Sequence, residues 1–534
     1  MWVKRSGITY IVFTLLFCSL ILRLFYVSFG DIKEKAMTVA GGKTATVDIY
    51  TSKGIIYDRD LCALAGNQFV YYLVINPREF DKTCIQYISE LTNVDVELIN
   101  EKLNKESLFI LSSYYKPEVV KGMYVCEGTA RYPKTTVCEH LIGYLDSDGV
   151  VGLSGLEKAF NDELSKYIST TSMTYVADAT RGMIPSLETT TKKESEDTLN
   201  GIITTIDKKL SLFVKQSMYE YIEKGCAVVM DCDSGEILSM CSTPSFNASN
   251  IDNYIDSDNG ELINNAMVNQ TVGSVFKMIV ATCALQNGLD GFTYECSGAI
   301  NISGRTFTCQ NQKAHSNVGL KEAFAQSCNC YFIAIGQLLG FDKVVETAQL
   351  FGVDSNIKIT KNLHSSAGKL PKESGSLALA NLSIGQGELM VTPLEVARIT
   401  AVMCNGGFLV NPSVYYGIYD NGTITSKSEY SYKSQIISSA ISEKLKEMCN
   451  LCVTNGTGIK AKPKLNSAGG KTASAQTGQF DGEGKEILNT YFTGFYPADN
   501  PKYVITVFAL NGKSGSETCA PVFAEICDFI AQNY

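Results

Sequence analysis

Three short stretches combine residue types that together can run acyl transfer. In the first, Gly273 precedes Ser274-Val275-Phe276-Lys277 at the start of a predicted helix. Positions i and i+3 share a helical face, so the lysine nitrogen can reach the serine oxygen. An unprotonated amine, its pKa lowered by burial and neighbouring cations, can take the hydroxyl proton and leave Ser274 as an acylatable nucleophile. The Ser274 N–H, at a helix N-terminus, is placed to stabilise an oxyanion. The spacing is not diagnostic alone, because Ser113-Tyr114-Tyr115-Lys116 repeats it. The second stretch, Ser327-Cys328-Asn329, falls in a break between two predicted helices, where a hydroxyl and a carboxamide can project together into a cleft. Ser245-Phe246-Asn247 and Ser257-Asp258-Asn259 fit the same pattern. The third is Lys471-Thr472-Ala473-Ser474, flanked by Gly469-Gly470 and Ala475-Gln476-Thr477-Gly478. A strand of such small residues lets a ligand's backbone lie along its edge, with Lys471 and Thr472 meeting a carboxylate.

The elements that must position these residues read as helices between strands. A helical run spans 204–224, and two apolar strands over 226–241 join at Asp233-Ser234-Gly235, a hairpin signal. Helices are predicted at 277–286, 320–326, 331–339 and 393–404, several ending at Gly or Asn-Gly. Strands return at 471–476, 491–496 and 503–510, followed by a helix over 521–531. Strands first and last with helices between them imply an α+β domain whose central antiparallel sheet is completed by both ends of the segment. Upstream, 44–65 alternates like strands around a turn, 149–164 reads as a turn into a helix, and 169–200, rich in Ser, Thr, Lys and Glu, reads as an exposed hinge.

With 534 residues the chain is long enough for two or three domains, and its net charge of -9 leaves no electrostatic footprint for nucleic acid. Lys4 and Arg5 precede an apolar run from Ile8 to Leu22 that continues past Arg23 to Phe29. This reads as one transmembrane helix with a cytoplasmic basic end and everything after about residue 30 outside. A cleaved signal peptide is the rival, though no A-x-A site follows; a lipoprotein is disfavoured by Phe17 before Cys18. Of 18 cysteines, 17 lie beyond the span, an odd number that argues against a complete disulfide framework. Cys449 and Cys452 form a C-x-x-C within a helical pattern and read as core thiols, whereas Cys296 and Cys309 could be bridged. His315, just after, reads as structural, and no metal or cofactor is expected.

Taken in order, the three stretches resemble the S-x-x-K, S-x-N and K-T-G set of penicillin-recognising serine enzymes. Further segments resemble landmarks of the class B (monofunctional) penicillin-binding proteins. These are Ser52-Lys53-Gly54-Ile55-Ile56-Tyr57-Asp58-Arg59, with Lys53 where Arg is usual, Arg131-Tyr132-Pro133, His140-Leu141-Ile142-Gly143-Tyr144 and Gly152-Leu153-Ser154-Gly155-Leu156-Glu157. Thr204-Thr205-Ile206-Asp207, Gly235-Glu236-Ile237-Leu238, Ile384-Gly385-Gln386-Gly387, Val391-Thr392-Pro393 and Gly456-Thr457-Gly458 extend the likeness over nearly the whole chain. The resemblance implies a transmembrane anchor over 1–30, an elongated pedestal of dimerisation type over 31–168, a hinge over 169–200 and a penicillin-binding transpeptidase domain over 201–534. It also implies D,D-transpeptidation of peptidoglycan stem peptides. Ser274 would attack the penultimate D-alanyl carbonyl with Lys277 as base, and Ser327 and Lys471 would relay the proton to the leaving nitrogen. Asn329 would grip the substrate amide, Thr472 would bind the terminal carboxylate, and the Ser474 N–H would complete the oxyanion hole. β-Lactams would acylate the same serine. No glycosyltransferase region is legible before the pedestal, so a separate membrane glycan polymerase is an expected partner, and homodimerisation is left open. One departure matters: Ala473 replaces the glycine of K-T-G, and its methyl, on the Lys471 face, should slow acylation by some β-lactams.

Two other classes stay in view. One is a cell-wall scaffold whose altered third stretch has lost catalysis; the other is a D,D-carboxypeptidase or soluble β-lactamase, which differs in acceptor. A histidine-dependent serine hydrolase is poorly supported, since only His140, His315 and His364 exist and no G-x-S-x-G is present.

Overall fold

The computed structural model describes residues 2–29, 44–105, 107–177, 183–184, 189–194, 199–427, 433–480, 482–484 and 486–534. Helix α1 (Trp2–Phe29) contains one 18-residue window, Thr9–Tyr26, long and apolar enough to cross a membrane. The chain folds as two compact units: 1–51 with 69–129 and 169–196, and 52–68 with 130–168 and 197–534. Segments 52–68 and 130–168, which sequence order groups with an expected pedestal over 31–168, cluster with the larger unit.

In the smaller unit, strands Phe109–Ser113, Gln68–Ile75 and Met123–Ala130 form one sheet, and Thr44–Ser52, Ser169–Val176 and Thr190–Lys193 another. Leu73, Ile75 and Phe109 pack against Ile88 and Ile99 from two short helices. Where composition predicts a hinge, Ser169–Val176 is a strand whose alternate residues Ser169, Thr171, Met173 and Tyr175 are buried. Its small polar residues hide a strict period of two, with β-branched Thr and an aromatic supplying the strand preference.

The larger unit is built on five antiparallel strands: β1 (Gly225–Asp231), β2 (Ile237–Thr243), and the C-terminal strands that follow helices α2 (Lys208–Tyr221), α3 (Lys277–Gln286), α4 (Leu320–Ala325), α5 (Asn329–Leu339), α6 (Pro393–Cys404) and α7 (Ser439–Asn455). Between α3 and α4 lies an arm of short strands β3 (Thr293–Cys296), β4 (Ala299–Ile302), β5 (Arg305–Thr308) and β6 (Ser316–Gly319), paired β3 with β6 and β4 with β5. The C-terminal strands are β7 (Gly469–Phe480), β8 (Glu486–Tyr496) and β9 (Tyr503–Leu510), and the chain closes with helix α8 (Ala520–Asn533). The sheet runs β2-β1-β9-β8-β7, so both ends of the segment complete it and β7 is an edge. Helices α2 and α8 pair, with the rings of Phe213 and Phe529 stacked 4.2 Å apart. Helix α6 is buried along its whole length and packs against β1, β8, β9 and α7. It starts at Thr392-Pro393 because Thr392 Oγ1 accepts the Glu395 N–H at 3.1 Å while Glu395 Oε2 accepts the Thr392 N–H at 2.6 Å, a reciprocal capping box.

The landmarks upstream of residue 201 meet in this unit. Arg131 Nε and Nη2 donate to the two oxygens of the fully buried Glu157 at 2.7 and 2.8 Å, and Arg131 Nη1 donates to the carbonyl of Gly54 at 2.7 Å. Lys53, buried, donates to the Val150 carbonyl and Asn161 Oδ1 at 2.7 and 2.8 Å.

Candidate active site

Gly273, at φ +60°, turns the chain into the short 3-10 turn Gly273–Phe276 that runs on into α3. A side chain there would press on Ala475 of β7, its Cβ 2.9 Å from the alanine's, while the Gly273 N–H donates to the Gly385 carbonyl at 2.9 Å. The turn is thus fixed against the sheet edge, and Ser274 stands half-buried at the rim while Lys277, one turn on, is fully buried.

Lys277 Nζ donates to Ser327 O at 2.8 Å, Ser327 Oγ at 3.2 Å and Asn329 Oδ1 at 2.7 Å. Ser274 Oγ is not among these partners, so the expected serine–lysine contact is not made here: the two residues share a helical face, but the amine's hydrogen bonds all go to the second motif. Ser327 earns its place through backbone geometry. It closes α4 at φ +55°, with the Cys328 N–H donating to Ala323 O at 2.8 Å and the Ser327 N–H to Phe324 O at 3.1 Å. This is a Schellman ending with serine where glycine is usual.

From the opposite side Lys471, also fully buried, donates to Ser327 Oγ at 3.0 Å and to Thr472 O at 2.9 Å. One hydroxyl is therefore shared by two amines, and neither has a carboxylate partner among the described residues. Burial, and then the nearby charge of Lys471, push the Lys277 amine well below the ordinary lysine range. Burial lowers Lys471 too, opposed by Cys452 and Cys449.

Along β7, Lys471, Ala473 and Ala475 are buried on one face, while Thr472 and Ser474 alternate onto the other. Ala473 has its methyl on the Lys471 face, as strand alternation predicts. Thr472 Oγ1 lies 2.6 Å from Thr457 Oγ1, and the Ser474 hydroxyl accepts the Gly515 N–H at 3.2 Å. Asn329 Nδ2 donates to Thr308 O at 2.8 Å, tying the second motif to β5. Ser274, Ser327, Asn329, Thr472, Ala473 and Ser474 line a single cleft of about 680 Å³. The residues given roles in the sequence, with Ala473, are thus brought together.

The competing patterns fall elsewhere: Ser113 is buried in a strand of the smaller unit, its hydroxyl donating to Leu91 O, and Asn247 caps a short helix. Thr457 had no assigned role in the sequence; Gly456-Thr457-Gly458 was the available signal. Cys296, Cys309, His315 and Cys328 converge beside the site, and the bridge entertained for Cys296 and Cys309 is not formed, both being free with sulfurs 3.7 Å apart. Cys449 and Cys452 are buried on α7.

A helix-covered antiparallel sheet with a serine on a helix start, a second serine between two buried lysines and a small-residue edge strand defines the class of penicillin-recognising serine enzymes. Residues 225–528 match the family description "Penicillin binding protein transpeptidase domain", more than half of the chain, and the protein belongs to that family. It is 27% identical over 540 residues to stage V sporulation protein D of Bacillus subtilis, covering 94% of this chain and 82% of that one. It is 26% identical over 465 residues to the peptidoglycan D,D-transpeptidase FtsI of Buchnera aphidicola, covering 84% and 76%. The fold is similar to that of penicillin-binding protein 3 of Mycobacterium tuberculosis crystallised with ampicillin, with a TM-score of 0.65 and 20% identity over 91% of this chain and 96% of that one.

Proposed function

We propose that the protein is a serine D,D-transpeptidase that cross-links peptidoglycan stem peptides through an acyl-Ser274 intermediate and is acylated by β-lactams. The observation that carries this is the Ser327 hydroxyl held at 3.2 and 3.0 Å from two buried lysine nitrogens in the cleft that Ser274 lines. Lys277, with its depressed pKa, takes the proton of Ser274 as its oxygen attacks the penultimate D-alanyl carbonyl. The N–H groups of Ser274 and Ser474 receive the oxyanion. Lys471 and Ser327 pass a proton to the leaving nitrogen, D-alanine departs, and the amine of a second stem accepts the acyl group. Asn329 holds the substrate amide, and Thr472, braced by Thr457, binds the terminal carboxylate.

The relatives' names support the reaction: FtsI of Buchnera is a peptidoglycan D,D-transpeptidase, and the Mycobacterium protein was crystallised with ampicillin. The helix α1 serves as a single-pass anchor with the larger unit outside the cytoplasmic membrane, and a separate glycan polymerase supplies the strands to be joined. The test is donor turnover: a stem peptide ending in D-Ala-D-Ala should release D-alanine and form cross-linked product with an amine acceptor. A wild type that turns over no stem peptide and takes up no labelled penicillin would favour a scaffold.

A further inference from the structure

Three cysteine sulfurs and a histidine nitrogen come from four separate places in the arm and α5. Cys296 ends β3, Cys309 follows β5, His315 precedes β6, and Cys328 is the N-cap of α5. Their ligand atoms all lie within 4.8 Å of one another. Cys296 Sγ is 3.7 Å from Cys309 Sγ and 3.5 Å from His315 Nδ1, and Cys309 Sγ is 3.7 Å from Cys328 Sγ. A tetrahedral zinc with bonds of ~2.3 Å to sulfur and ~2.0–2.1 Å to nitrogen sets these edges at about 3.8 Å between sulfurs and about 3.6 Å between sulfur and nitrogen. The three cysteines are almost wholly buried, while His315 is half-buried and lines the catalytic cleft. The Cys328 sulfur, at the N-cap of α5, accepts the Tyr331 N–H at 3.4 Å. Cys330 touches Cys309 at 3.5 Å but falls outside the set of four. Elsewhere thiols meet without such convergence: Cys138 and Cys241, 3.8 Å apart, have a serine hydroxyl beside them and belong to no such set among the described residues.

We infer that Cys296, Cys309, His315 and Cys328 form a structural zinc site that clamps the Ser327-Cys328-Asn329 motif to the β3–β6 arm. Binding Zn²⁺ displaces the three thiol protons and closes four ligands round the metal, with no position left for water. Because Cys328 lies between Ser327 and Asn329, the metal fixes the loop that presents the hydroxyl and carboxamide to Lys277. It also holds Cys309 next to Thr308, whose carbonyl receives Asn329. The role is positioning; no step of acyl transfer passes through the ion.

The test uses the full chain in detergent, purified under anaerobic, reducing conditions. Elemental analysis should find one zinc per chain, and Co²⁺ exchange should give a tetrahedral d–d spectrum with a thiolate charge-transfer band. Cys309→Ser and His315→Ala should surrender zinc to a chelator that wild type and Cys138→Ser withstand. Absence of both zinc and the cobalt–thiolate band in the wild type, or zinc retained undiminished in Cys309→Ser, would overturn the site. Should those variants fail to fold, X-ray absorption on the wild type decides: three sulfurs and one nitrogen support it, an oxygen-rich shell refutes it. Stripped wild type should melt at lower temperature and acylate more slowly, and unchanged values for both would refute the clamp. Ser274→Ala should keep its zinc, so a zinc-replete wild type that never acylates sinks the transpeptidase reading and leaves the metal site standing.

Discussion

Ser327 is held in a left-handed conformation that costs a residue with a side chain ~1–2 kcal/mol. That strain is kept where a hydroxyl is wanted between two amines. Ser327→Gly should therefore raise stability in chemical denaturation by up to about 1 kcal/mol while acylation slows, and Ser327→Ala should slow acylation without the gain. A glycine variant that acylates at the wild-type rate would remove Ser327 from the relay. Lys277 sets the pH dependence. Since its amine is held well below the ordinary lysine range, the rate should climb as pH rises through that lowered pKa, level off well below pH 10.5, and fall as acid protonates the base. Lys277→Arg, which stays protonated, should acylate roughly 10²–10⁴-fold more slowly and lose the titration. The Ala473 methyl is buried on the Lys471 face, so Ala473→Gly should acylate faster with bulky β-lactams; a variant reacting no faster would discard the methyl as a brake. These residues were legible because helix and strand periodicity put i, i+3 and i, i+2 on common faces. The cysteine–histidine set was legible only in part: Cys296 and Cys309 read as a possible bridge and His315 as structural, but only the folding of the arm brings Cys328 to them, while the C-x-x-C that did stand out lies on a buried helix face.

At the scale of elements, Gly273 and Gly385 join the nucleophile turn to its surroundings by backbone contact: a Cβ on Gly385 would stand within van der Waals overlap of the Gly273 carbonyl. The upstream landmarks have a different logic. Arg131 and Glu157 form a bidentate pair beside Ile55–Tyr57, a strand that pairs in parallel with Gly201–Thr204 at the entrance to the transpeptidase segment. Glu157→Gln leaves Arg131 with an unpaired charge and should cost ~3–5 kcal/mol, read as a fall in denaturation midpoint. A loss below about 1 kcal/mol would mean that the pair is not a structural tie. Most helices and the C-terminal strands were legible from period and punctuation. The strand Ser169–Val176 was missed because polar composition masked its alternation, and the short strands of the arm because runs of four residues carry too little pattern.

For the whole molecule, the serine, both lysines and the edge strand all belong to the larger unit, and α1 supplies a segment able to span a bilayer. Landmarks that look like parts of a separate pedestal, at 52–59, 131–133 and 152–157, fold with that larger unit, which sequence order could not reveal. The central claim is that one serine carries the acyl group. Intact-mass and peptide-mapping analysis of the full chain after benzylpenicillin treatment tests it directly. The account predicts one covalent adduct, mapped to Ser274 and abolished by Ser274→Ala; no adduct on the wild type, or an adduct that survives Ser274→Ala, would contradict it.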